Sequence, residues 1–240
     1  MPPDAPVWLV LPTFNEADNV EALVAAVLEH LPAERRVLIV DDASPDGTGE
    51  IADRIAAIQD EVDVMHRARK DGLGPAYVAG FQRALDGGAA LIAQMDADFS
   101  HDPADLPRLL GAVEHADLAL GSRYVDGGRV ADWGAVRRLI SRGGSAYART
   151  MLGLGIADLT GGFKVFRREV LETIELETIS SLGYAFQVET TFRAMRAGFR
   201  VVEVPIVFRD RRVGESKMTG SIVVEAALRV PAMRLGGRRQ

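Results

Sequence analysis

The chain has 240 residues, 48% of them apolar and 26% charged, with a formal net charge of −6 and no cysteine. That is enough chain for one large α/β domain or two small ones. The acidic balance excludes a whole-molecule polyanion binder, so no nucleic-acid partner is expected, and the missing cysteine excludes disulfides, a thiol nucleophile and cysteine zinc sites.

The N-terminal MPPDAPVWLV lacks a basic start and its apolar run is cut at Pro12, so it does not read as a signal peptide. Val7–Leu11 reads as a buried strand, followed by a helix whose apolar stripe is Val20, Leu23, Val24, Val27 and Leu28. Val37–Val40 is a second strand and Ile51, Ile55 and Ile58 mark a second helix. Val62–His66, Leu91–Met95 and Leu118–Leu120 complete five strands, with helices over Gly74–Leu85 and along Leu106, Leu109, Leu110 and Val113. Strands alternating with helices at this spacing predict a mostly parallel sheet with right-handed crossovers. The second half is less regular. Val136–Leu152 is amphipathic, with Arg138, Arg142 and Arg149 opposite its apolar residues. Glu172–Arg196 is helical in part, Val201–Val207 is a strand that Pro205 confines to an edge, and Ser221–Leu235 is a final apolar-rich helix with a basic end. From Arg193 onward basic residues outnumber acidic ones, and no stretch approaches the roughly 18 apolar residues of a membrane span.

Polar clusters close three of the strands: Pro12-Thr13-Phe14-Asn15-Glu16, the run from Asp41 and Asp42 to Thr48, and Asp96-Ala97-Asp98. In a parallel sheet all three strand ends face one edge, where open α/β sheets bind ligands. Glu16, Asp42 and Asp98 are therefore expected to converge on one crevice. Two carboxylates one residue apart suit a hard divalent cation that also holds substrate phosphates. The competing reading is that Asn15, Asp46 or the Asp-x-Asp carboxylates merely cap turns and helices. Cations follow in Gly121-Ser122-Arg123-Tyr124, in Thr160-Gly161-Gly162-Phe163-Lys164 preceded by Asp158, and in the loop from Arg211 to Lys217. Arg123 and the cations of the 211–217 loop are expected at the surface, and arginine is suited to phosphate through its forked donors. No phosphate loop, GxSxG elbow or HExxH is present, Tyr77 spoils a dinucleotide fingerprint after Gly72 and Gly74, and the four histidines are scattered.

As an ordered set, PTFNE (12–16), DDASPDGT (41–48), DADFSHDP (96–103), GSRY (121–124), TGGFK (160–164) and GESKM (214–218) resemble family 2 glycosyltransferases of the GT-A type. Within these they resemble the polyprenol-phosphate mannosyltransferases, the dolichol-phosphate mannose synthase group. The resemblance implies one GT-A-like α/β domain over residues 1–240, a mixed and mostly parallel sheet flanked by helices, with a C-terminal amphipathic helix at about 219–235. It implies an inverting transfer of mannose from GDP-mannose to a polyprenyl phosphate with Mg²⁺ or Mn²⁺. By the family's motifs, donor contacts fall on Pro12, Phe14, Glu16, Val40, Asp42, Asp96 and Asp98, and the metal on Asp96 and Asp98, with Ser100 standing where some members have Gln. Acceptor-phosphate contacts fall on Arg123, Arg137, Ser141, Arg211 and Lys217, and the residues expected to carry transfer are Asp98, Arg123, Arg211 and Lys217. Many relatives carry C-terminal membrane helices. This chain reads like the short members, peripheral on the cytoplasmic face of a membrane, with room for a membrane-embedded protein partner. Val136–Leu152 and Ser221–Leu235 are the segments for that surface, with Trp133 as an interfacial anchor; packing on the sheet is the alternative for both. Transfer of another sugar, such as glucose from UDP-glucose, and a non-catalytic nucleotide-sugar-binding module remain open. A QxxRW motif of processive synthases is absent.

Overall fold

A computed structural model describes residues 5–131, 134–179, 181, 183–210 and 229–234. Its centre is a seven-stranded sheet of order β3-β2-β1-β4-β7-β5-β8. The strands are β1 (Val7–Thr13), β2 (Arg35–Asp41), β3 (Val62–His66), β4 (Leu91–Gln94), β5 (Leu118–Ser122), β7 (Lys164–Arg167) and β8 (Val201–Pro205). All neighbours run parallel except β7, which is antiparallel to both β4 and β5. A parallel two-stranded ribbon joins β6 (Arg129–Val130) to β9 (Val207–Phe208). The helices are α1 (Val20–His30), α2 (Thr48–Ala56), α3 (Leu73–Asp86), α4 (Leu106–Ala112), α5 (Ala135–Leu152), α6 (Arg168–Thr173) and α7 (Gly183–Arg196).

The near-continuous apolar runs of β1, β2 and β4 follow from burial on both faces. Alternate residues of β1 serve opposite cores. Trp8 and Val10 belong to the core that includes residues of α3, α5, α6 and α7, whereas Val7, Leu9 and Leu11 belong to the one that includes residues of α1, α2 and α4. Helix α1 buries Val20, Leu23, Val24 and Val27, the stripe its periodicity predicts. Helix α3 lies so close on the sheet that a Cβ at Gly80 would sit 2.3 Å from Val10 Cγ1.

The five expected strands and the edge position of β8 are present. Strand β7 was not predicted from the sequence. It is a four-residue central strand, KVFR, that begins with a fully buried Lys164, and a charge at its head hides it from any hydrophobic pattern. The partly helical stretch 172–196 resolves into the end of α6, a short 3₁₀ turn and α7. Of the expected final helix, residues 229–234 are helical, with Val230 buried in the core and Arg234 donating to the Met151 carbonyl at 2.6 Å. That part packs on the domain; residues 221–228 lie outside the described residues. Trp133, Arg211 and Lys217 do too, as does the side chain of Arg137.

Candidate active site

The strand order reverses between β1 and β4, and the crevice of such a sheet opens there at the carboxyl ends. Three non-glycine residues at these ends have left-handed φ: Asn15 at 55° after β1, Ala43 at 58° after β2 and Phe99 at 59° after β4. Such backbone persists only where surrounding contacts over-determine it, and it clusters at functional sites.

Those contacts are visible in the first two loops. Thr13 donates to Asp41 at 3.1 Å, and the Asp42 amide donates to the Thr13 carbonyl at 3.0 Å, locking β1 to β2. Asp41 also accepts from Ser44, whose hydroxyl in turn accepts the Asn15 amide. Asp46 accepts from the Ala17 amide and from the Thr48 amide and hydroxyl. Burial raises its pKa, but these hydrogen bonds outweigh that and hold the carboxyl below its usual value. Asp41 and Asp46 are thus engaged in structural hydrogen bonds, Asp46 as the capping alternative anticipates. The other residues of these strand ends are Pro12, Phe14, Glu16 and Asp42. The Lys70 ammonium stands 3.6 Å from the centre of the Phe14 ring, Glu16 accepts from Asn19 at 2.9 Å, and Asp42 is ion-paired to Arg67. Val40 has its side chain fully buried against the α3 side of the core, so only its backbone is left for a ligand.

After β4 the chain turns sharply through Asp96–His101. The Asp96 side chain is 34% exposed, and the Tyr77 hydroxyl donates to it at 3.4 Å. Burial, then the charge of Asp96, pushes the Tyr77 phenol well above its ordinary pKa, so it stays a donor. A Cβ at Gly162 would lie 3.3 Å from both Asp96 carboxylate oxygens. This gives the second glycine of the TGG motif its reason, because β7 runs antiparallel and delivers its start to the same sheet edge. Asp98 is nearly buried and accepts the Ser100 amide at 3.0 Å. The Ser100 hydroxyl is buried without a hydrogen-bond partner among the described residues. His101 is buried behind the turn, and burial lowers its pKa to about 4 against the opposing pull of Asp98, so it is neutral.

Asp96, Asp98 and the orphaned Ser100 hydroxyl form an all-oxygen donor set in one turn, which suits a hard divalent cation. Among the described residues no cluster of three or more His, Cys, Asp or Glu is arranged to hold a metal ion by itself.

Arg123 departs from expectation. It is not a surface cation but 5% exposed. Its Nε and Nη2 donate to the two oxygens of Asp158 at 2.7 Å each, its backbone amide adds a third bond at 3.0 Å, and Nη2 also reaches Thr160 at 2.8 Å. Burial raises the Asp158 pKa, but Arg123 and these bonds bring it below its usual value. Ser141 on α5 accepts from Tyr124 at 2.7 Å. Ser145 of the same helix meets Thr160 at 3.2 Å, which joins α5 to the TGG loop. The sequence reading missed Arg67, Tyr77 and the buried set of Gln94, Lys164 and Gln187. The Lys164 ammonium donates to the Gln187 carbonyl and to Thr190 and Thr191, and Gln94 bridges Gly162 and Gln187. Only Lys164 had a signal, as the cation of the TGGFK motif.

Comparison with known proteins identifies the class of protein to which this fold and these acidic strand ends belong. Residues 8–175 match glycosyl transferase family 2, and the chain belongs to that family; it is a glycosyltransferase. It is 49% identical over 232 residues to the undecaprenyl-phosphate mannosyltransferase of Micrococcus luteus, covering 97% of this chain and 95% of the relative. It is equally 49% identical over 232 residues to the polyprenol monophosphomannose synthase of Mycolicibacterium smegmatis, covering 96% and 87%. Among solved structures, glucosyl-3-phosphoglycerate synthase from Mycobacterium tuberculosis with Mn²⁺, UDP and glucosyl-3-phosphoglycerate superposes with a TM-score of 0.67 at 20% identity, covering 97% of this chain and 79% of that one. The same enzyme with Mg²⁺ and UDP gives 0.68 at 20% identity, covering 95% and 80%. At that identity the likeness is one of fold.

Proposed function

We propose that the protein transfers mannose from GDP-mannose to a polyprenyl phosphate, with inversion to a β-linked product, while lying peripherally on the cytoplasmic face of a membrane. The observation that carries this reading is the pair of near-full-length relatives at 49% identity, both named for mannose and a polyprenol phosphate. The donor lies in the crevice between β1 and β4, against Pro12, Phe14, Glu16, Asp42 and the Val40 backbone. Asp96 and Asp98, with Ser100, would hold Mg²⁺ or Mn²⁺, which would supply positive charge opposite the donor's diphosphate. The acceptor phosphate is already ionised near pH 7 and needs orientation more than a base. Arg211 and Lys217 supply it, with Arg137 and Ser141 on α5. Arg123, its charge paired with Asp158, contributes a fixed guanidinium at the end of β5 rather than a net positive charge.

Helix α5 supports the membrane part of the reading. It docks through a narrow seam of Ser145, Ala148 and Leu152, while Leu139 and Ile140 are 73% and 48% exposed beside the exposed Arg138 and Arg142. Among the described residues no helix is long and apolar enough to cross a membrane. A membrane-embedded partner protein would meet the enzyme on this face.

The deciding assay offers GDP-mannose or UDP-glucose to the enzyme with polyprenyl phosphate and Mg²⁺ or Mn²⁺. Glycolipid should form from GDP-mannose alone, and excess chelator or Asp98→Ala should abolish it. Glucose transfer from UDP-glucose would replace this reading with its alternative, and full activity in chelator would remove the metal from Asp96 and Asp98.

A further inference from the structure

The Asp96–His101 turn and β9 meet at two points. The Arg209 amide donates to the Ser100 carbonyl at 3.1 Å, and the Phe208 ring stands edge-on to His101, with centroids 5.2 Å apart and planes at 80°. His101 is 1% exposed, and Phe163 packs against it at 5.1 Å. Its Nδ1 accepts the Asp96 amide at 3.4 Å, which places the imidazole proton on Nε2. Phe208 also faces the Arg123 guanidinium at 5.2 Å, and that guanidinium is chelated by Asp158. Packed groups therefore run without a break from the Asp96 backbone through His101 and Phe208 to Arg123. From Phe208 the chain continues through Arg209 and Asp210 to Arg211.

We propose that His101 is a positioning residue for transfer, locking the Asp96–Asp98 turn against β9 and so fixing from one point both the metal-binding carboxylates and Phe208 and Arg209, which precede the proposed acceptor residues Arg211 and Lys217 in sequence. This rests on the metal and acceptor roles proposed above. The physical need is plain. Phe99 holds a left-handed φ that must be over-determined by its neighbours, and metal-binding groups must be held to within about 0.5 Å by a packed supporting shell. His101 provides both a hydrogen-bond acceptor and a ring.

Two replacements separate these contributions. His101→Phe keeps a ring and loses the acceptor; His101→Asn keeps an oxygen near the Nδ1 position and loses the ring. Phe208→Leu removes the edge contact from the opposite side. Each protein is measured for GDP binding by calorimetry over a Mn²⁺ series and in chelator, and for KM with polyprenyl phosphate. His101→Phe should raise the half-saturating Mn²⁺ concentration about tenfold, the scale seen when groups supporting metal ligands are removed, and leave GDP binding in chelator unchanged. His101→Asn should raise the KM for polyprenyl phosphate several-fold. Phe208→Leu should do the same without adding to the His101→Asn effect, because both cut one contact. The proposal is overturned if half-saturating Mn²⁺ and acceptor KM stay at wild-type values in both His101 variants, or if GDP binding in chelator falls as much as binding with Mn²⁺, which marks a merely structural role. Wild-type binding of GDP that ignores Mn²⁺ refutes the metal reading instead, and the acceptor measurement then decides the role of His101 alone.

Discussion

Arg123 and Asp158 face each other in a space that water barely reaches, and the energetic consequence differs from that of a surface pair. An exposed ion pair contributes about 0–1 kcal/mol. Removing one member of a buried pair costs about 3–5 kcal/mol, because the survivor keeps an uncompensated charge. Asp158→Ala should therefore lower the melting temperature by on the order of 10 °C in a domain of this size, and Arg123→Met with Asp158→Leu should recover part of that loss. A melt within 2 °C of wild type for Asp158→Ala would show that the pair is not buried. Neither partner was legible as half of a pair. GSRY and the Asp158 two residues ahead of TGG stand out as motifs, but nothing in a linear sequence matches position 123 to position 158. The same holds for Asp42 with Arg67. The acidic strand ends were legible because each cluster sits within a few residues of an apolar run, so local pattern and location coincide.

At the scale of elements, α5 shows what periodicity can and cannot say. Its amphipathic pattern is clear in the sequence, and the structure shows which part docks: the C-terminal half contributes Ser145, Ala148 and Leu152, and the N-terminal half leaves Leu139 and Ile140 in the open. Gly153 closes the helix in left-handed conformation, with φ 70°. Apolar side chains flanked by arginines fit an interfacial helix on anionic lipid. Leu139→Glu with Ile140→Glu should abolish co-sedimentation with anionic vesicles while the melting temperature stays unchanged, since neither side chain is buried. Undiminished vesicle binding would move the membrane contact to another element. Strand β7 is the opposite case, an element without any local signal. Four residues are too few for a period-2 pattern, and its lysine is accommodated by three oxygens of α7, which are themselves distant in sequence.

For the whole molecule that lysine sets a pH dependence. Burial lowers the Lys164 pKa to about 7 from its ordinary 10.5, with Asp158 opposing. Between these values the unfolded chain keeps the proton and the folded protein does not, so the contribution of this residue to stability rises with pH from about 7 towards 10 and is constant below 7. The slope is at most about 1.4 kcal/mol per pH unit. Denaturant midpoints measured at several pH values should show this rise, and Lys164→Met should flatten it; identical slopes in the two proteins would mean that the ammonium titrates normally.

The sheet order has a further consequence for a chain made from one end. Strand β4 is complete at Gln94, but its neighbour β7 does not begin until Lys164. At about 5–20 residues per second, roughly 4–14 seconds of synthesis separate the two. Throughout that interval β4 waits with an unpaired inner edge, joined by that of β5 once residue 122 has been made; such edges are the kind of template that recruits strands from other chains, and Asp96 waits without the glycine that backs it. The strand that joins the halves of the sheet is also the last piece of its acidic site to be made. A nascent chain therefore passes through its most association-prone stage just before it can bind the donor, and a ribosomal pause or truncation ahead of residue 164 leaves an open sheet rather than a slower enzyme.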